Sequence, residues 1–102
     1  MANTNSPHEP EGDLGIRVVK EAFRITRQVE IVRRQARQAQ QAAAEAVDKS
    51  ADSHDRTARS YEQLAERGER PEEYLKYAAR HREFEQEDRQ IAKRLRAMAE
   101  SA

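Results

Sequence analysis

From Ile16 to Arg67 the chain contains neither glycine nor proline, and Gly68 and Pro71 then follow in quick succession. A stretch of that length, rich in Ala, Arg, Glu and Gln, carries no internal stop signal for a helix. Gly68 suits the position just past a helix end, and Pro71 suits the first turn of the next helix. Glu72 and Glu73 come next and place negative charge on the positive end of that helix's dipole. The segment Gly68-Glu69-Arg70-Pro71 is therefore read as the tip of an antiparallel helical hairpin. No stretch alternates apolar and polar residues with β-branched enrichment, so strands are not expected. The expected fold class is all-α: an antiparallel helical hairpin or coiled coil with a long first helix.

Two stretches qualify this outline. Pro7, Pro10, Gly12 and Gly15, set among acidic and small polar residues, mark residues 1–15 as a disordered tail and leave 16–102 as the hairpin domain. Residues 48–55, DKSADSHD, are rich in side chains that compete with helical backbone bonding and favour caps. Asp52 or Ser53 offers a start for a new helix, so a break near residues 48–53, giving a three-helix bundle, is the alternative. Ala42 to Val47 is strongly helical and no Gly or Pro intervenes, which favours continuity.

Seven-residue patterns define the faces. After the corner, Tyr77, Phe84, Ile91 and Met98 repeat on one stripe, Tyr74, His81, Asp88 and Leu95 on its neighbour, and Ala78, Ala92 and Ala99 widen the face. Before it, Val47, Ala51, His54, Ala58, Tyr61, Leu64 and Ala65 fall at spacings of three and four. Packing these faces together sets Tyr61 near Tyr77, Ala58 near His81, His54 near Glu85 and Val47 near Ile91, with the aromatics in the core. At about 1.5 Å per residue, a second helix of roughly 30 residues reaches back about 45 Å, to the neighbourhood of Gln38 to Gln40. Residues 16–37 are then left over.

That remainder is amphipathic. Val18, Ala22, Ile25, Val29, Val32 and Ala36 form one stripe flanked by Val19 and Phe23. Burying six large side chains of this kind is worth roughly 9–18 kcal/mol gross, at about 1.5–3 each. An exposed helix would forgo as much as a whole domain's net stability of about 5–15 kcal/mol. Val18, Val19, Ala22, Phe23, Ile25, Val29 and Val32 are thus the expected partner-binding residues. Between Arg17 and Arg37 there are seven Lys or Arg against Glu21 and Glu30, a balance of +5 in a chain whose formal net charge is +0. Arg17, Lys20, Arg24, Arg27, Arg34 and Arg37 invite a nucleic-acid reading, since clustered cations neutralise phosphates. An acidic tail and the absence of a helix-turn-helix signature or of stacking aromatics speak against it.

Other chemistries have less purchase. His54, His81, Glu85 and Asp88 are metal ligands by type and would lie within about two turns on the inner face of the hairpin. The Glu-x-x-His pattern of di-iron bundles is missing, however, and a polar layer that fixes helix register is the preferred reading, with no metal and no cofactor. There is no Gly-rich phosphate loop and no G-x-S-x-G elbow, and neither enzymatic activity nor a small-molecule substrate is expected. Cysteine is absent, which excludes disulfides and thiolate metal sites. The longest apolar run is too short to span a membrane, and no secretory leader is visible at the N-terminus. A bacterial cytoplasm is the expected compartment.

At His54-x3-Ala58-x2-Tyr61-x3-Ala65, then Gly68, then Tyr77-Ala-Ala-Arg-His81-Arg-x-Phe84, the chain resembles a loose group of small actinobacterial helical proteins. The resemblance spans residues 50–100 and implies a hairpin fold but no particular activity. Secreted hairpins of the WXG100 type differ at the corner, which here reads Arg67-Gly68-Glu69-Arg70-Pro71. The expected function is a non-enzymatic helical interaction module, a homodimerising adaptor or regulator or one that binds another helical protein. The alternative is a nucleic-acid-associated protein that uses the basic face of residues 17–37.

Overall fold

The computed structural model describes residues 11–68 and 70–102. Among these there are two helices and no strand: α1 (Glu11–Glu66) and α2 (Pro71–Ser101). The chain divides into two compact units, Met1–Gln35 and Ala36–Ala102. The second is an antiparallel helical hairpin, as the Gly-Pro punctuation implies. The expected tail is corrected at its end, because Glu11–Gly15 already belong to α1; residues 1–10 lie outside the described residues.

α1 runs through residues 48–55 without a break, so the two-helix hairpin stands and the three-helix alternative does not. The polar side chains that favour caps are engaged elsewhere. Asp48, Asp52 and Asp55 all pair with arginines of α2. The Thr57 hydroxyl donates to the Ser53 carbonyl one turn back (3.0 Å), a bond compatible with continued helix.

At the corner, the Arg67 N–H donates to the Gln63 and Leu64 carbonyls and the Gly68 N–H to that of Ala65, which closes α1. Gly68 adopts φ 82, where a side chain would be strained. Arg70 is also left-handed, at φ 44 and ψ 52, and has no side-chain cap. Pro71 occupies the first turn of α2, where no N–H is needed, and the Tyr74 N–H donates to the Arg70 carbonyl (3.1 Å).

The core is made of alanine. Ala44, Ala51, Ala58 and Ala65 recur every seven residues along α1, and Ala78, Ala92 and Ala99 keep the same period along α2, with Glu85 in the fourth place. Each methyl contributes only about 0.8 kcal/mol by leaving water. Alanine is also the strongest helix former, and small side chains let two helices approach closely. Tyr61 with Tyr74 (5.9 Å between rings) and His54 with His81 (5.1 Å) form the intervening layers. The Arg37 guanidinium donates to the Ala102 carbonyl (3.2 Å), so α2 ends against Arg37, within a turn of the expected Gln38 to Gln40.

The register departs from expectation by about one turn. Tyr61 does lie beside Tyr77 (5.3 Å), but His54 faces His81 rather than Glu85. The aromatic stripe is corrected too. Tyr74 is half-buried, whereas Tyr77 and Phe84 are 41% and 37% exposed at an edge. A seam narrow enough for alanine has no room for two columns of aromatic rings.

Candidate interaction surfaces

Residues 11–35 present an apolar face to solvent. The large members of the expected partner-binding set, Val18, Val19, Phe23, Ile25, Val29 and Val32, are between 42% and 68% exposed, and Leu14, Ile16 and Ile31 are equally bare. Ala22 is exposed as well. Gly12 and Gly15 have open space where a Cβ would stand, which leaves a shallow notch bordered by Ile16, Val19 and Phe23. The apolar surface is broad. Val18, Ile25 and Val32 lie at one angle, Ala22 and Val29 beside them, and Val19 and Phe23 further round, more than the narrow stripe that a two-stranded seam requires.

The expected basic face divides. Arg24 pairs with Glu21 on its own helix, and Arg37 is drawn into the hairpin unit through the Ala102 carbonyl. Arg17 lies exposed on the same segment. Lys20, Arg27 and Arg34 recur every seven residues, are exposed, and make no ion pair or hydrogen bond among the described residues.

The hairpin has two unlike edges. One is ionic. Arg82, Arg89 and Arg96 repeat every seven residues along α2 and meet Asp48, Asp55 and Glu62, which repeat every seven along α1. Arg82 donates to Asp55 (2.5 Å), Glu62 (2.9 Å) and Glu85 (3.0 Å); Arg89 reaches Glu85 (3.0 Å) and Asp52 (3.2 Å); Arg96 reaches Asp48 (2.5 Å). The hydrogen bond from Arg82 holds the Asp55 carboxyl below its ordinary value, and the acidic partners push the guanidinium groups of Arg82 and Arg89 upward. Sequence reading missed this edge, although two seven-residue ladders of opposite sign were there to be found.

The other edge is apolar. Tyr77, Phe84, Ile91 and Met98 line it on α2, each between 37% and 51% exposed. On α1 the bordering positions, Ala43, Ser50, Thr57 and Leu64, are small except for the last. The Tyr77 hydroxyl donates to Glu73 (3.0 Å), and that bond to a carboxylate raises the phenol's pKa.

Between the edges lies the polar layer. His54 Nδ1 and His81 Nδ1 are 2.9 Å apart, a hydrogen bond in which one ring donates and the other accepts. Asp88 approaches His54 Nε2 at 3.9 Å, and its buried Oδ2 accepts no hydrogen bond among the described residues. Glu85 turns away toward Arg82 and Arg89. The four residues considered as metal ligands are therefore neighbours without a shared centre. Among the described residues no three His, Asp or Glu converge on a position that could hold a metal ion.

These features define a class by shape alone: an alanine-seamed helical hairpin that also carries an amphipathic helical segment. No helix among the described residues is long and apolar enough to cross a membrane. No protein-family model matches the chain, and neither curated proteins nor solved structures yield a match.

Proposed function

We propose that this protein is a non-enzymatic helical interaction module that pairs with a second copy of itself through the Ile16–Ala36 face, acting as an adaptor or regulator in the cytoplasm. The observation that carries this reading is the run of large apolar side chains from Leu14 to Val32, all at least 42% exposed. Burying each is worth about 1.5–3 kcal/mol gross, enough in sum to drive association against the entropy of bringing two chains together. Sedimentation velocity over a dilution series tests it. The 11.8 kDa chain should sediment as a dimer, and Val29→Asp, which places a charge in the middle of the stripe, as a monomer. A wild type that stays monomeric throughout removes the reading.

A second reading rests on Lys20, Arg27 and Arg34, an exposed ladder of cations opposite the apolar stripe and without partners among the described residues. It suits the phosphate backbone of a nucleic acid. Such binding should weaken steeply as salt rises, whereas apolar pairing should not.

A further inference from the structure

We infer that the apolar edge of the hairpin, the Tyr77–Met98 side, is the dock for the Ile16–Ala36 helix of a second copy of this chain. This rests on the dimer reading above and supplies the surface that meets that face. Four observations bear on it.

The first is breadth. A helix that pairs with one other helix buries a narrow stripe, but Val18, Val19, Ala22 and Phe23 lie at successive angles, as suits a helix lodged between two neighbours. The hairpin edge offers two banks, one from each helix.

The second is reach. Leu14 to Ala36 spans about 33 Å of helix and Tyr77 to Met98 about 32 Å, at about 1.5 Å per residue.

The third is charge. Ile16–Gln35 holds six Lys or Arg against Glu21 and Glu30, a balance of +4, whereas residues 36–102 hold 13 Lys or Arg against 14 Asp or Glu, a balance of −1. Pairing two such segments with each other would set +4 beside +4; docking each on a hairpin does not.

The fourth is shape. In an antiparallel register where facing residue numbers sum to about 75, Val18 meets Thr57, Ile25 meets Ser50 and Val32 meets Ala43, so each of these three apolar residues opposes a small one. Within the hairpin, Tyr61 faces Tyr74 and His54 faces His81, so Thr57, Ser50 and Ala43 lie level with the places of Tyr77, Phe84 and Ile91. Both stripes thus keep a common seven-residue period along the contact. The register is its own inverse, as a two-fold dimer requires.

The chain has no cysteine, so a single introduced thiol reports one position without ambiguity. Full-length Ile25→Cys and Ser50→Cys chains, both altered at exposed sites, are mixed, allowed to exchange, oxidised mildly and resolved by mass. The expected product is the mixed disulfide that joins position 25 of one chain to position 50 of the other. Little product should form when Thr57→Cys, one heptad out of register, replaces Ser50→Cys. Sedimentation of each reduced variant accompanies the assay. A dimer in which only the Ile25→Cys chains crosslink, each to its own kind, shows the segments pairing with each other, and overturns this dock while leaving the dimer intact. A dimer giving no mixed product also overturns it. A monomeric wild type overturns both this inference and the reading beneath it.

Discussion

Replacing Ala58 by leucine tests the alanine seam directly, because two accounts of the core give opposite signs. Ala58 is 0% exposed and Ala78, across the seam, is 2% exposed. If the helices stood apart with slack between them, leucine's three extra carbons would add up to about 2.4 kcal/mol of stability, at about 0.8 per buried group. If the methyls set the separation, the larger side chain must push the helices apart, at a typical cost of about 1–3 kcal/mol. Leucine is nearly as good a helix former as alanine, so propensity does not blur the comparison. The exposed Ala79 provides the matched control, where leucine should change stability by less than about 0.5 kcal/mol. Urea unfolding followed by far-UV circular dichroism, at one fixed protein concentration, gives the readout. The midpoint of Ala58→Leu should fall by about 1 M relative to wild type, taking a loss of about 2 kcal/mol and the slope usual for small proteins. A rise in the midpoint, with Ala79→Leu unchanged, would show a seam with room to spare and refute the close approach.

Arg70 holds a left-handed backbone at φ 44 with no side-chain cap, so Arg70→Gly should stabilise the hairpin by about 1 kcal/mol; a destabilised variant in the same urea assay would place the corner's geometry in doubt. The Asp55 carboxyl is held below its ordinary 3.8 chiefly by the hydrogen bond from Arg82, so its contribution is present above that value and is lost as the pH falls through the lower native one. Wild type should therefore exceed Asp55→Asn in unfolding midpoint at neutral pH, and the difference should vanish in strong acid; a pH-independent difference would show that the ion pair is not its source.

Much of this hairpin can be read from the chain because its punctuation is local. Gly68 and Pro71 act on their own backbone, so the corner lies where they stand. Continuity through residues 48–55 was less legible, since whether an aspartate caps a helix or reaches across it depends on what stands opposite. Here Asp48, Asp52 and Asp55 find Arg96, Arg89 and Arg82. Register was harder still. Stripe spacing shows which residues share a face but not how far one helix is slid along the other, and a corner with two left-handed residues fixes that slide. The expected pairing of His54 with Glu85 erred by about one turn for this reason. Rotation failed through size: the large side chains Tyr77 and Phe84 look like core, yet the alanines determine the gap and turn the rings to the edge. Of the nine large apolar residues exposed on the amphipathic segment, six were legible from their spacing, whereas Leu14 fell in the expected tail and Ile16 and Ile31 fell off the stripe.

In the proposed dimer, the two unlike edges of the hairpin together decide where the second copy sits. Each surface ion pair in the ladder of Arg82, Arg89 and Arg96 contributes little to stability by itself, commonly about 0–1 kcal/mol. Its geometry, however, agrees with the rotation and slide that the seam and the corner set, since Arg82, Arg89 and Arg96 each reach a carboxylate on α1. A helix docking on that side would have to strip water from a row of charges, which is costly unless each gains a new partner. In the proposed dimer, docking on the opposite side would remove water chiefly from Tyr77, Phe84, Ile91, Met98 and Leu64. The ionic ladder thereby does two things at once. It matches the register that lines Tyr77, Phe84, Ile91 and Met98 along one edge, and in the proposed dimer it leaves that edge as the side where docking would remove apolar surface from water.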